Sequence, residues 1–316
     1  MKKVYFTSDY KTADEFLEYI RPFSPDESCK WESITATLDR DEAEYLVALN
    51  QPDPGLDSDR LLLFCRETPW NDRCDWEDID ALRKYPLSDN YLIQVWWVDR
   101  SYDELKGISA GDLTKMADLS WITTDRGKID NPVWRLFRRT LIRHGVKKHE
   151  RKWPTVLNKG GTDGHVLRMQ FLERLTDQYP DLLDLYGRGD FSGPYYRGEL
   201  ADKWDGLAPY RYSLALENYK GKNYFGEQLA DALLAWCMPI YWGCTNLSEY
   251  LPENSYVWID IEDDAAPERV REVVNSDLRE QNLDAIAEAR RRILDKYQVW
   301  PTVHRIVEEV SAESCK

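Results

Sequence analysis

The feature that most constrains the fold is a regular alternation of short apolar runs with amphipathic segments along the 316 residues. Runs such as Leu61–Cys65 are apolar at every position, which is typical of parallel strands buried on both faces. Segments such as 13–20 and 165–178 carry apolar residues at helical spacing. Strands that alternate with helices predict parallel sheets, and the alternation continues through both halves of the chain.

A basic segment separates the two halves. Residues 126–160 contain eleven basic and two acidic residues, a net charge of +9, and lead into the glycine-rich stretch 159–164. We therefore predict two Rossmann-like α/β domains, residues 1–155 and 156–316, that face a central ligand cleft. The last helix is expected to pack back on the first domain. The basic segment is interpreted as a solvated or interdomain face, or as a contact with an anionic acceptor or a membrane surface.

Composition excludes several classes. The chain has 42 basic and 57 acidic side chains, a net charge of −15, which argues against a nucleic-acid binder. No apolar run approaches the roughly 18–20 residues that span a bilayer, so a cytoplasmic location is expected. The six cysteines show no CxxC spacing and histidines number only four, which favours reduced thiols and no metal site. P-loop, nucleophile-elbow and HExxH motifs are missing from the sequence.

Four ordered motifs lie between residues 210 and 260. They read YRYSLALEN from Tyr210, YFGEQL from Tyr224, PIYWG from Pro239 and PENS from Pro252. This series resembles glycosyltransferase family 10, the α-1,3/1,4-fucosyltransferases, and in particular its soluble bacterial members. Further similar segments, in the same order, extend the resemblance over roughly residues 44–300; they begin at Glu67, Trp96, Ser101, Leu119, Gly164 and Asp184.

The resemblance implies an inverting, metal-independent transfer of fucose from GDP-fucose to a hydroxyl group of a glycan acceptor. It also implies a GT-B-type fold, in which the first domain binds the acceptor and the second binds the nucleotide sugar. No cofactor is expected beyond the donor substrate. Such a transfer needs a base for the acceptor proton and positive charge or N–H dipoles for the departing diphosphate.

Glu67 is the candidate base. It follows the predicted strand Leu61–Cys65, at the carboxyl end where the cleft is expected, and its segment resembles the family's ESP motif. The alternative interpretation is a solvated loop carboxylate beside Arg66. Arg168 is the candidate for the diphosphate, because it matches a family arginine at the head of a helix and can bind phosphate through two N–H groups. The alternative is a solvated helical arginine.

The resemblance also assigns donor-binding residues after the strand that begins near Arg211. Asn218 is expected to hold the loop or the donor, Tyr224 to face the sugar, and Glu227 to accept hydrogen bonds from donor hydroxyls. Each has a plainer interpretation, since asparagine is a common turn residue and a glutamate at a helix start complements the helix dipole.

The chain departs from the family pattern at Gln228, where the family has a lysine that contacts the donor phosphates, and at Gly226, where it has threonine. A neutral amide can donate a hydrogen bond to phosphate but supplies no charge. The missing charge is expected from one of four side chains, Arg168, Arg211, Lys220 or Lys222. Otherwise the chain uses a different nucleotide sugar, or binds nucleotide sugars or glycans without catalysis.

Overall fold

The computed structural model of the chain consists of two α/β units, each built on a six-stranded sheet. The structure describes residues 1–53, 55–67, 74, 76–87, 95–125, 164–189 and 191–314. The basic segment 126–160, predicted to be a solvated or interdomain face or a contact with an anionic acceptor or a membrane, lies outside the described residues.

The first sheet is formed mainly by short, buried, apolar strands. Its strands are β1 (Lys2–Ser8), β2 (Lys30–Trp31), β3 (Ile34–Ala36), β4 (Tyr45–Leu49), β5 (Leu61–Phe64) and β6 (Arg83–Tyr85). They are arranged in the order β2-β3-β1-β4-β5-β6, and all neighbours are parallel except the pair β2 and β3. The continuous apolar run of β5 is buried at every position, as its sequence predicts.

The second sheet is wholly parallel. Its strands are β7 (Ala117–Thr124), β8 (Asp184–Arg188), β9 (Tyr196–Gly198), β10 (Tyr210–Gly221), β11 (Met238–Cys244) and β12 (Val257–Trp258). The order is β12-β11-β10-β7-β8-β9. The longest strand, β10, pairs with β11 on one side and with β7 on the other.

The strand β7 belongs to the second sheet, whereas the predicted boundary at residue 155 placed it in the first domain. Leu119 pairs with Tyr212 of β10, and Ser120 pairs with Asp184 of β8. The prediction was wrong for this strand, because an apolar run indicates that a strand is buried but not to which sheet it belongs. The described chain therefore passes from the first sheet to the second before residue 117.

Helices pack on both sheets. They are α1 (Ala13–Ile20), α2 (Tyr102–Gly107), α3 (Gly164–Gln178), α4 (Glu227–Leu234), α5 (Ala266–Val274), α6 (Leu278–Gln281), α7 (Leu283–Arg292) and α8 (Val299–Ser314), with a π-turn at Ile293–Tyr297. Apolar residues at helical spacing predict one helix over residues 279–296, but the structure breaks this segment at Asn282. The side chain of Asn282 donates to the carbonyl of Leu278 at 2.7 Å, which competes with regular helical bonding. The described helices include none with the length and hydrophobicity of a membrane-spanning segment.

The last helix, α8, returns to the first unit. Trp300 is fully buried there, and its indole N–H donates to the carbonyl of Ile20 at 2.9 Å. Its ring meets Phe6 of β1 edge to face, with centroids 5.3 Å apart. Further along the helix, the hydroxyl of Ser311 lies 2.7 Å from that of Tyr45. The C-terminal helix thereby fastens the second unit to the first through buried aromatic contacts.

Two of the six cysteines are not reduced thiols. Cys65, just after β5, forms a disulfide with Cys74. The expectation of reduced cysteines is wrong for this pair, because the pairing depends on the return of the loop after β5 rather than on a short sequence spacing. Free thiols in the described part of the chain are Cys29, Cys237 and Cys244. The disulfide closes the loop that contains Glu67.

The apolar run at residues 92–98 predicts a further strand, and here too the structure differs. Its first part, 92–94, lies outside the described residues, and 95–98 is not a strand. Trp96 is nonetheless core, with its ring 4.1 Å from that of Phe23, while Trp97 is 55% exposed.

Candidate functional site

Two cavities lie side by side, one between the two units and one on the second unit. The interdomain cavity has a volume of about 560 Å³, and its walls include Lys11, Asn50, Glu67, Trp97, Tyr224 and Glu227. The second-sheet cavity has a volume of about 440 Å³, and its walls include Thr124, Arg168, Arg188, Lys203, Asn218 and Gln228. Trp97 and Glu227 line both cavities, so the two form neighbouring parts of one cleft.

Each cavity lies where the strand order of its sheet reverses. In the first sheet the order reverses between β1 and β4, and the interdomain cavity is lined by Tyr10 after β1 and by Asn50 after β4. In the second sheet it reverses between β7 and β10, and the second-sheet cavity is lined by Thr124 and Asn218. Crevices at the carboxyl ends of strands beside such a reversal are the usual ligand sites of parallel sheets. The topology therefore marks both cavities as binding sites.

Glu67 lies in the interdomain cavity on the loop after β5. This loop is held by Asn50, which sequence reasoning did not identify. The side-chain oxygen of Asn50 accepts the Arg66 N–H at 3.0 Å, and its amide donates to Asp9 at 3.0 Å. The backbone carbonyl of Asn50 accepts the indole N–H of Trp76. Asn50 has φ of 66°, a left-handed conformation that asparagine tolerates better than most residues. The residue before Glu67 is thus fixed to the end of β4.

The predicted donor-binding residues Asn218, Tyr224, Glu227 and Gln228 all line the cleft. Glu227 is the first residue of α4, at the junction of the two cavities. The side-chain oxygens of Asn218 and Gln228 are buried and accept no hydrogen bond from any described residue. Buried polar atoms are usually satisfied, so a bound ligand is a natural partner for these two amides.

Glu217 is a buried carboxyl group beneath this region. It accepts the N–H of Gly226, just before α4, at 2.7 Å. Burial, together with the charge of Glu227, raises the pKa of Glu217 to about 8. A Cβ atom at position 243 would lie 2.4 Å from Cγ of Glu217. The glycine at this position therefore leaves room for the glutamate side chain. Glu217 belongs to a motif that the sequence analysis quoted without giving the residue a role.

The raised pKa of Glu217 predicts a pH-dependent stability. In the unfolded chain the group titrates near 4.5, so between there and about 8 the folded state binds one more proton. The free energy of unfolding then falls as pH rises, by up to about 1.4 kcal/mol per pH unit from this group. Glu217→Gln should remove that fall while still accepting the Gly226 N–H. Urea denaturation between pH 5 and 8 should show the variant gaining stability relative to wild type; Glu253→Gln, at an exposed site, should track wild type. A constant difference between the Glu217 variant and wild type would contradict the prediction.

Arg168 lies on the first turns of α3 and lines the second-sheet cavity. It is only 2% exposed, and its guanidinium donates to the carbonyl of Leu216 at 2.9 Å and lies 2.6 Å from Nδ1 of His165. A side chain at Gly164, which begins the helix, would lie 2.4 Å from the carbonyl oxygen of Asn218. The close approach of helix and strand brings Arg168 beside Asn218, one of the residues predicted to bind the donor.

Arg211 is the predicted donor-binding residue that the structure places elsewhere. It lies at the amino end of β10, and neither described cavity includes it. Its guanidinium forms ion pairs with Asp118, Asp277 and Glu280. The amino ends of parallel strands lie at the opposite edge of the sheet from the cleft, so Arg211 does not supply the charge missing at Gln228. Lys220 is likewise occupied, in an ion pair with Asp260 at 2.7 Å.

A buried ion pair that the sequence did not reveal adjoins the cleft. Lys203 lies 2.9 Å from Asp231 of α4, and Asp231 also accepts the backbone N–H of Trp97 at 2.7 Å. Sequence offers no signal for this contact, because its two charges come from distant elements. Within the described residues, no group of three or more His, Cys, Asp or Glu side chains is arranged to hold a metal ion.

Two α/β units whose sheets share one cleft at their strand reversals are the architecture of GT-B-type glycosyltransferases. Residues 148–282 match the family model described as "Glycosyltransferase family 10 (fucosyltransferase) C-term". This part of the chain, which holds most of the second sheet, is thus similar to glycosyltransferase family 10. The match includes Arg168, Asn218, Glu227 and Gln228.

Solved structures with a similar fold include two that are entitled α1,3-fucosyltransferase. The one with GDP-fucose is 14% identical, with a TM-score of 0.47, over 95% of this chain and 92% of that one. The one with GDP is 17% identical, with a TM-score of 0.49, over 97% of this chain and 88% of that one. A DNA-modifying β-glucosyltransferase is 9% identical, with a TM-score of 0.47, over 97% and 99% of the two chains. Among curated proteins, none matches this sequence.

Proposed function

We propose that the chain transfers fucose from GDP-fucose to a hydroxyl group of a glycan acceptor, with inversion at the sugar carbon and without a metal ion. Glu67 acts as the base that takes the proton of the acceptor hydroxyl. Arg168, Asn218, Tyr224, Glu227 and Gln228 bind the donor. The match to the family model supports fucosyl transfer in general, and the arrangement of the cleft supports the finer assignment.

The observation that carries the proposal is that carboxylates from the two units line the same cavity. Glu67 comes from the loop after β5, and Glu227 comes from the start of α4. A single-displacement transfer needs a base on the acceptor side and a donor sugar held opposite it. Glu67 serves the first task, while Glu227, at the junction with the second-sheet cavity, accepts hydrogen bonds from the sugar hydroxyls.

The second-sheet cavity suits the leaving group. Arg168 and Arg188 both contribute to its walls, next to the amides of Asn218 and Gln228. Guanidinium and amide N–H groups aimed at a diphosphate stabilise the charge that develops on it as the sugar leaves. The exposed Trp97 offers a flat apolar face between the two cavities, which suits a sugar ring of the acceptor.

Calorimetry with GDP-fucose, followed by a GDP-release assay over an array of acceptor glycans, tests the proposal. We expect binding in the micromolar to low millimolar range and acceptor-dependent release that EDTA does not reduce. The anomeric configuration of the product, read by NMR, tests inversion. Failure to bind GDP-fucose at millimolar concentration would exclude the proposed donor, and strict dependence on Mn²⁺ would exclude the metal-independent mechanism.

Gln228 favours a second candidate, a family relative that uses another nucleotide sugar or only binds one. The side chain lines the second-sheet cavity but supplies no charge. The same calorimetry with UDP-, dTDP- and GDP-sugars separates the two candidates. Tight binding of a different donor, or donor binding without any transfer, would favour the second.

A further inference from the structure

The second-sheet cavity contains a lysine that neither a motif nor the family resemblance assigns. Lys203 begins the short 3₁₀ segment Lys203–Gly206, and its side chain, 20% exposed, lines the cavity together with Gln228. This segment lies between β9 and β10 in the chain, well before the motifs that surround Gln228. The positive charge of Lys203 therefore comes from a different element than a lysine at position 228, the family position, would.

Contacts with two groups hold the ammonium in place. Its nitrogen lies 2.9 Å from Oδ2 of Asp231 and 4.7 Å from the centre of the Trp97 ring. Asp231 is itself fixed, because its other oxygen accepts the Trp97 N–H at 2.7 Å. Burial opposes the charge of Lys203, but the carboxylates of Asp231 and Glu227 outweigh it, and the net effect raises the pKa of the lysine. The side chain is thus a charged donor throughout the neutral range.

Lys203 has donor capacity left for a ligand. An ammonium group carries three N–H bonds, and among described residues Asp231 is its one hydrogen-bond partner. The other two basic side chains that line the cavity, Arg168 and Arg188, are bonded to protein groups, and Arg188 is also far more exposed. Arg168 donates to the carbonyl of Leu216, and Arg188, whose side chain is 79% exposed, pairs with Glu199.

We infer that Lys203 binds the diphosphate of the nucleotide sugar and replaces the cation that Gln228 lacks. The inference rests on the proposed function for its donor class. In the transfer, the bond between the sugar carbon and the β-phosphate oxygen breaks, and its electron pair stays on that oxygen. The acceptor oxygen forms the new bond to the sugar carbon, and its proton passes to Glu67. Lys203 stabilises the negative charge left on the nucleoside diphosphate, and Asp231 orients the lysine.

The first experiment measures GDP affinity by calorimetry for wild type and for the variants Lys203→Met, Gln228→Lys and their combination. Loss of one charge-assisted hydrogen bond should weaken GDP binding about 10- to 100-fold in Lys203→Met. Gln228→Lys should restore most of that loss in the double variant, because it returns a cation to the same cavity. Lys30→Met, on the exposed edge strand β2, is the matched control and should bind GDP like wild type.

A second set of variants tests whether Lys203 only neutralises the buried carboxylate of Asp231. In an Asp231→Asn background there is no carboxylate to neutralise, so a purely structural lysine would become dispensable. We expect Lys203→Met to weaken GDP binding about 10-fold or more in that background as well. Equal affinity of Asp231→Asn with and without the lysine, or no rescue by Gln228→Lys, would overturn the inference.

The outcomes separate this inference from the proposed function. If wild type binds GDP-fucose and Lys203→Met binds it equally well, the inference fails and the function stands. If wild type binds UDP but not GDP, and Lys203→Met weakens UDP binding about 10-fold or more, the inference stands and the donor assignment fails. Absence of binding for both nucleotides would overturn both.

Discussion

Glu67→Gln should lower the rate of sugar transfer by about 10²- to 10⁴-fold, the range that general bases contribute. Glutamine keeps the size and polarity of the side chain but cannot take the acceptor proton. Because Glu67 lies in the interdomain cavity, away from the walls of the second-sheet cavity, the affinity for GDP should stay within about 2-fold of wild type. Initial rates of GDP release and calorimetric binding of GDP measure the two effects.

The matched control for this prediction is Glu253→Gln, at an exposed position on the second unit, which should transfer at the wild-type rate. A retained transfer rate in Glu67→Gln would remove Glu67 as the base. A parallel loss of GDP affinity would show instead that the substitution disturbs the donor site.

Much of the fold could be predicted from the sequence, because local patterns report burial. The helix α1 is observed with its predicted bounds, and β5 is buried along its whole length, as a continuous apolar run requires. Sheet membership could not be predicted in the same way. The run of β7 would fit either sheet, and pairing with β8 and β10 decides the matter through contacts distant in sequence.

The site residues likewise fall into those that the sequence predicts and those that it does not. Glu67 follows β5 and Asn218 lies near the carboxyl end of β10, and the parallel topology brings such positions to one edge. The same rule places Arg211 at the opposite edge of the sheet, because this residue lies at the start of its strand. This placement could have been predicted from the sequence. Lys203 and Asn50 escaped prediction because their roles depend on partners that only the folded chain brings together.

Gly187→Ala should destabilise the chain by more than about 3 kcal/mol, through two separate effects. Gly187 lies on β8 with φ of +130°, a conformation that side chains rarely adopt. An added Cβ would also lie 1.7 Å from the carbonyl oxygen of Thr123 on the paired strand β7. Backbone atoms in a parallel ladder cannot move aside without breaking its hydrogen bonds. Urea denaturation, monitored by tryptophan fluorescence, measures the loss.

Gly198→Ala separates the two effects. Gly198 also has a left-handed φ, of +100°, but an added Cβ would meet no atom within 4 Å. This variant should lose only the conformational term, about 1–2 kcal/mol. The excess loss in Gly187→Ala then reports the clash with β7. Because Gly187 and Thr123 both line the second-sheet cavity, that variant should also bind GDP more weakly where it remains folded, whereas Gly198→Ala should not. Equal stability of the two variants would contradict the prediction. It would show that β7 and β8 can move apart at this position and accommodate the added Cβ.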